Sequence, residues 1–423
     1  MSVSNITTSA RRLLKDENGK VIPVVALADH NGNGDPALDW GLTQFGERIA
    51  ADRFNVLGLT SVFGTSAIRD ITSTNGTGAS IARSGAVLEL TSGIATDGHA
   101  RLTSAERAPY IPGSIQEGGI GLRIPSASVP TGDQEIRWGV WDGTDGIYFG
   151  RDATGVYAAY SNGGTETKIR QTAWNVDKLD GTGPSALTFD PDAGYVYRMR
   201  YAWYGYGGLA WAIVLPDSAG YTQPIPVHRA KVEGALAIGN PNLPIRAAID
   251  NGTTGSNSLT VQVGGRSVSR IGPIELAARR FTAGRNLGFS TTASQVPYVS
   301  LRRKSGFANE ASVRLSSIQI LTTDDCLWEV YMNASPTTAS WVTPTGATAA
   351  ETTLEMDISA TSISGGTLIA QGFAKSGSAN KSELSLSELP PIDFAGTQPM
   401  TLAITNLSTT GTASVIFEAV EGW

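Results

Sequence analysis

Two carboxylates held about 5–9.5 Å apart across a cleft can hydrolyse a glycosidic bond, and one stretch of this sequence places several acids among aromatic rings. Glu135, Asp142, Asp145 and Asp152 lie on or beside predicted strands and hairpin turns, and Trp138, Trp141 and Tyr148 stand between them. Rings of this kind stack on sugars, and they also fill the cores of β proteins. Acidic residues at hairpin turns are ordinary. The reading taken is that the aromatics are core, that no residue here is catalytic, and that the chain is not an enzyme. Trp138, Trp141 and Tyr148 remain the candidates for contact with a glycan.

Asp29-His-Asn-Gly-Asn-Gly-Asp35 imitates the first half of a calcium loop, with oxygens at positions 1, 3 and 5 and glycine at 6. Position 12 is Trp40, where a bidentate glutamate is needed, so the stretch reads as a turn-rich loop and no metal site is assigned. His30, His99 and His228 are scattered, without the spacing of a metal triad. Cys326 is the single cysteine, which excludes a disulfide within the chain and a cysteine zinc site. With no basic group nearby to lower its pKa, it reads as a buried thiol. No phosphate loop, dinucleotide fingerprint or nucleophile elbow appears, so no cofactor is expected.

The elements that would position these residues are short strands. Glu135 to Trp141 alternates clearly. Gly146 to Gly150 and Gly155 to Tyr160 form a hairpin across Arg151-Asp-Ala-Thr154. Tyr195 to Trp203 alternates with aromatics at 195, 197, 201 and 203 on one face, and Leu209 to Leu215 pairs back on it. Ala86 to Leu90 and Gly119 to Ile124 complete a domain over residues 61–275, a jelly-roll-like sandwich by its strand spacing. A helix-like stretch, Ile274 to Phe281, marks a linker at 276–288. A second sandwich follows at 289–423: Val299 and Leu301, Val313 to Leu321, Cys326 to Met332, Leu354 to Ile358, Thr367 to Phe373, Leu384 to Leu386, Met400 to Ile404, and Val415 to Ala419, about eight strands. Residues 1–60 form an N-terminal arm for attachment, with a strand or extended run at Val21 to Leu27 and a short helix at Phe45 to Phe54.

Composition agrees. Charged residues are 17%, below the ~25% of soluble domains, and the 49 glycines exceed the ~7% average without a collagen period. The result is a turn-dense, all-β chain. A net charge of −6 and the lack of a lysine–arginine block argue against nucleic acid. Arg302, Arg303 and Lys304 read as a solvated face. No window approaches the ~20 apolar residues that span a bilayer, and the first fourteen residues lack the apolar stretch of a secretory signal.

Several stretches resemble tailed-bacteriophage virion proteins of the minor tail or fibre type. They are Trp174-Asn-Val-Asp-Lys-Leu-Asp-Gly-Thr-Gly-Pro-Ser185, Tyr201-Ala-Trp-Tyr-Gly-Tyr-Gly207, Val227-His228, Asn240-Pro-Asn-Leu-Pro244 and Asp250-Asn-Gly252. In the C-terminal part they are Val299 to Lys304, Ser362-Ile-Ser-Gly-Gly366 and the closing Glu418-Ala-Val-Glu-Gly-Trp423. The resemblance implies a structural component of the virion, made in the host cytoplasm, and supplies no catalytic residue. The expected partners are further copies of the chain as a trimer or dimer, other virion proteins, and a glycan of the host surface; membrane insertion is not expected. Tail or fibre placement, head or collar decoration, receptor-binding lectin and capsule depolymerase stay open as alternatives. Physically, Leu179-Asp-Gly-Thr-Gly-Pro184 reads as a turn stapled by Asp180.

Overall fold

A computed structural model describes residues 12–15, 21–24, 53–203, 206–216, 220, 222–232, 236–255, 257–272, 278–289, 295–305, 312–376, 382–385, 398–407 and 410–422. The Asp29–Asp35 loop, His30 and residues 45–52 of the expected helix lie outside them. The described chain is all-β and antiparallel, with a single turn of 3-10 helix at Gln171–Ala173. No helix among the described residues is long and apolar enough to cross a membrane.

In chain order, β1 (Arg12–Lys15) and β2 (Val21–Val24) pair with each other. Then follow β3 (Arg53–Leu59), β4 (Asp70–Asn75), β5 (Ala79–Ser84), β6 (Val87–Ser92), β7 (His99–Ser104) and β8 (Ile115–Arg123). Next come β9 (Glu135–Trp141), β10 (Gly146–Asp152), β11 (Gly155–Asn162) and β12 (Thr165–Arg170). After the 3-10 turn lie β13 (Tyr195–Tyr201), β14 (Gly208–Pro216), β15 (Thr222–Lys231), β16 (Ile245–Asp250) and β17 (Thr260–Ile271). These make a seven-stranded sheet, β12-β11-β10-β9-β16-β7-β4, and an eight-stranded path in which β15-β14-β13-β8-β17-β6-β5 are neighbours and β3 joins through β17. The chain crosses between the sheets repeatedly, so alternate side chains of both meet in one core.

Period-two patterning does this work. Ile136, Trp138 and Val140 of β9 face Tyr197, Met199 and Tyr201 of β13, all fully buried in a single cluster. The sheets approach so closely at Gly118 that a Cβ there would stand 2.0 Å from Val140 Cγ2. Trp211 Nε1 donates to Tyr148 O across the gap at 2.9 Å. The aromatic stripe on β13 is seen as expected, with Tyr197 and Tyr201 in the core and Tyr195 and Trp203 packed against it. In the Leu179–Pro184 turn, Asp180 accepts from Thr182 N at 2.9 Å, and Asp177 holds Leu179 N and Ser185 N at 2.8 Å.

The second set comprises β18 (Ala278–Phe289), β19 (Val296–Arg303), β20 (Ser312–Thr322), β21 (Cys326–Met332), β22 (Ser335–Thr337), β23 (Leu354–Asp357), β24 (Ser362–Ser364), β25 (Thr367–Ala374), β26 (Ser382–Ser385), β27 (Met400–Asn406) and β28 (Gly411–Gly422). A four-stranded sheet, β18-β28-β20-β26, and a five-stranded sheet, β23-β19-β27-β21-β25, enclose a second core around Trp328, Phe417 and Tyr298. Cys326 is buried in it, and burial pushes its thiol pKa up.

Three expectations are corrected here. The helix and linker around Ile274 to Phe281 give way from Ala278 onward to β18, which pairs with β28 along all twelve residues. A short apolar run cannot be assigned by period alone, and the long strand β28 supplies the partner. The segment set aside as an arm ends in sheet, because β3 pairs with β17 and buries Leu57 and Leu59. The Arg302–Lys304 run is no solvated face: Arg303 is buried, Arg302 pairs with Glu355 at 3.0 Å and lies 4.0 Å over Trp341, and Lys304 Nζ donates to the carbonyls of Ala349 and Thr352.

His228 on β15 offers a pH test. Its ring lies 5.6 Å from Trp211, its Nδ1 accepts from Asn175 N at 3.2 Å, and burial lowers its pKa. The folded state therefore prefers the neutral ring, whereas the unfolded chain takes up a proton near pH ~6.5. Stability is complete above that pH, declines as pH falls toward the lowered folded value, and is flat below it. Melting curves at pH 8 and pH 5.5 should show this loss in the parent and less of it in His228→Gln. Equal slopes in both proteins would refute the assignment.

Candidate functional site

The outer face of the seven-stranded sheet gathers most of the polar chemistry that the sequence scattered. Cross-strand register sets the pattern. One row runs Ser73, Arg101, Ala248, Arg137, Gly150, Tyr157, Arg170 from β4 to β12. The row beside it holds Asn75, His99, Asp250, Glu135 and Asp152, and on the other side stand Thr103, Arg246, Gly139, Tyr148, Ala159 and Lys168.

Small residues in these rows let rings lie down on the sheet. A Cβ on Gly150 would fall 2.2 Å from the Tyr157 ring. Tyr157, Tyr148 and Trp141 therefore form a buried layer with Ala159 and Ala248 on this face, separate from the main core. Cations cover them: Arg137 and Arg246 lie 4.5 and 4.3 Å from the Trp141 ring centre, and Lys168 and Arg170 lie 4.6 and 5.2 Å from that of Tyr157. Such contacts contribute about 0.5–2 kcal/mol each, more as water is removed.

Carboxylates complete the array. Lys168 Nζ donates to Glu135 and stands 3.5 Å from both Asp152 Oδ2 and Glu166 Oε2. Tyr157 donates to Glu135, and Tyr148 donates to Glu166 Oε1 at 2.5 Å. Burial, then the neighbouring carboxylate, raises both phenol pKa values well above the usual range, so both hydroxyls stay protonated donors. Arg170 clasps Asp152 at 2.6 and 2.7 Å. Desolvation opposes ionisation of Asp152, but that clasp prevails and its pKa falls below the ordinary value. Arg137 and Arg101 both pair with Asp250, at 3.0 Å through Arg137 Nη2 and 3.0 Å through Arg101 Nε. Arg246 is left with less compensation: burial, and then repulsion from Arg101, bring its pKa down to about 10.

Of the acids singled out in the sequence, Glu135 and Asp152 face each other on paired strands and join this cluster. Asp142 and Asp145 do not. Asp142 caps its own turn through Thr144 N and Asp145 N and meets Arg107 at 3.2 Å. Asp145 turns to the backbone of Gly163 and Gly239. The three aromatic candidates for glycan contact divide as well. Trp138 is fully enclosed in the main core, 5.0 Å from Tyr197 and 6.3 Å from Phe149, and is corrected from that role. Trp141 and Tyr148 belong to the outer face but lie beneath its charged layer, because their own alternation points them outward and the arginines fold over them. Arg101, Arg137, Glu166, Lys168, Arg170, Arg246 and Asp250 were missed by the sequence reading. The signal was present as alternate polar residues on predicted strands, yet it gains meaning only with the register.

Neither a protein-family model nor a curated protein matches the sequence. Solved structures do show likeness. An endo-1,3-beta-glucanase from Streptomyces sioyaensis aligns at 11% identity over 52% of this chain and 97% of its own, with a TM-score of 0.35. The CBM2 module of the evolved Dit of Lactobacillus casei BL23 phage J-1 aligns at 10% identity over 53% and 98%, TM-score 0.34. An endo-beta-1,4-glucuronan lyase from the fungus Trichoderma reesei aligns at 11% identity over 51% and 94%, TM-score 0.30. The expectation of a non-enzyme is withdrawn, because an endo-glucanase and a glucuronan lyase are among the solved structures of similar fold, a likeness that shows the fold alone.

Proposed function

We propose that the chain is a component of a tailed-phage particle that meets a surface glycan through the outer face of its seven-stranded sheet. The observation that carries the glycan reading is the layer in which arginine, lysine and carboxylate side chains alternate over the flat rings of Trp141, Tyr148 and Tyr157. Sugars offer hydroxyls that both donate and accept, and such a face offers both kinds of partner at fixed spacing. The virion reading rests on the stretches quoted above, with residues 1–52 as the attachment segment and the particle as its location.

The test is calorimetric titration of the full chain with purified bacterial surface polysaccharides. Arg101 and Arg170 are partly exposed at the rim of the face. Arg101→Ala and Arg170→Ala should each weaken binding about tenfold or more, as expected for one lost charge-assisted hydrogen bond of about 1.5–3 kcal/mol; each also unpairs a carboxylate, so binding is compared at a temperature where the variants remain fully folded. Saturable binding that neither variant alters would move the site elsewhere, and no binding across the panel would reject the reading.

A second reading is cleavage of that glycan at the same face. Asp152 Oδ2 and Glu166 Oε2 each stand 3.5 Å from the Lys168 ammonium, which puts them no more than about 7 Å apart, a bound that admits the spacing of a retaining glycosidase pair. Release of reducing ends by the parent protein, abolished in Asp152→Asn, would establish it. A parent protein that binds polysaccharide without releasing ends would dismiss it.

A further inference from the structure

We infer that the corner of this face where β7 meets β16 is an oxyanion subsite formed by Arg101 and Arg246, so that the glycan it takes is acidic, carrying a carboxylate or a phosphodiester. The inference rests on the glycan reading above and names the chemical class of the ligand. Arg246 stands opposite Thr103 in the pairing of β16 with β7, and Arg101 lies two residues before Thr103 on the same face. The two arginines are therefore diagonal neighbours, with stems about 7–8 Å apart, a spacing from which both guanidiniums can close on one oxyanion.

Their partners are unequally shared. Arg101 Nε donates to Asp250 Oδ1 and Arg137 Nη2 to Asp250 Oδ2, each at 3.0 Å, so both oxygens of that carboxylate are engaged. Arg246 has no ion pair among the described residues. Its Nη1 donates to the Asp142 carbonyl at 3.0 Å, its Nε is buried without a hydrogen-bond partner, and its guanidinium lies over Trp141. The Asp142 carboxylate is turned away, to Arg107 and to the backbone of its own turn. From β4, Ile71 and Ser73 stand opposite Thr103 and Arg101, and neither is acidic. A half-buried cation with donors left over is costly until an anion arrives, and a guanidinium fork matches a carboxylate or phosphate in geometry. Access is open, since the Arg101 side chain is 37% exposed. At the opposite end of the face Glu135, Asp152 and Glu166 surround Lys168 and suit sugar hydroxyls, so the face has a direction: acid toward β12, base toward β7.

Calorimetric titration of the full chain tests this with acidic capsular polysaccharides, each run beside a derivative whose carboxyls have been reduced to alcohols, and with a polysaccharide bearing phosphodiesters. The parent should bind at least one acidic polymer about tenfold or more tighter than an uncharged one, and the gap should shrink as salt is raised. Loss of affinity on carboxyl reduction assigns the subsite to a carboxylate, and preference for the phosphodiester polymer assigns it to phosphate. Arg246→Gln should close the gap, whereas Arg246→Lys, which keeps the charge, should retain most of it. Thr103→Glu sets a carboxylate directly opposite Arg246 and should also close the gap while melting no lower than the parent, which keeps the test intact if Arg246→Gln folds poorly. Equal affinity for charged and uncharged polymers, or a gap that Arg246→Gln and Thr103→Glu leave open, would overturn the inference and leave the glycan reading standing. Absence of binding to every polysaccharide would remove both.

Discussion

Glu117→Gln is expected to destabilise the fold by about 3–5 kcal/mol, the usual consequence of removing one partner from a buried charge cluster. Glu117 lies on the outward side of β8, yet its side chain is fully buried, because guanidinium groups close over it. Arg53 reaches it from β3, Arg198 Nε donates to Oε1 at 3.0 Å, and Arg200 Nη2 donates to Oε2 at 2.7 Å. Desolvation alone would raise the carboxyl pKa; Arg200, Arg198 and Arg53 together hold it below the ordinary value. Neutralising it leaves these guanidiniums crowded against one another in a site already costly for charge, with burial keeping Arg200 down at about 10. The pH dependence has a definite sign. A depressed carboxylate stabilises the fold above its unfolded value of about 4.3, and that contribution is lost as pH falls through the folded value. The gap between parent and Glu117→Gln in urea unfolding should therefore be full at pH 7 and narrow in acid below about pH 4. A gap under 1 kcal/mol at pH 7 would refute the argument.

Trp138→Ala should cost a similar amount, about 3–5 kcal/mol, through the cavity that a large buried ring leaves behind. Its indole sits between the sheets, stacked on Phe149 and edge-on to Tyr197, where neither water nor backbone can fill the space. Trp141→Ala offers the contrast. That ring is as well buried, but by arginine side chains on the outer face, and water can enter when it is gone. Its loss should be the smaller of the two, and it should disturb the charged face directly. Equilibrium unfolding of both variants decides the matter: a larger loss for Trp141→Ala would mean that the two rings have been assigned to the wrong faces of β9.

The two tryptophans show how far the sequence reaches. Alternation along Glu135 to Trp141 fixed the strand itself, and β9 begins and ends where that pattern does. Alternation also says that Trp138 and Trp141 point to opposite sides. Which side is the core depends on the other sheet, to which strands both before and after β9 contribute, β8 and β13 among them. The β18 region shows the opposite failure. Its arginine-rich start imitates a helix locally, and only pairing with β28, more than a hundred residues away, makes it a strand.

By itself the sequence determined the all-β class, because period-two burial and frequent glycine turns are local properties that need no partner. It determined the buried thiol and the stapled Asp180 turn for the same reason. Tertiary structure alone decided the candidate site. Glu135, Asp152, Glu166 and Lys168 meet because the successive strands β9 to β12 adopt one register, and Arg101 and Asp250 join them from β7 and β16, which are distant in sequence; a slip of one residue would have turned each to the other face. Charge clusters are properties of register, and register is settled by the burial of everything on the other side of the sheet.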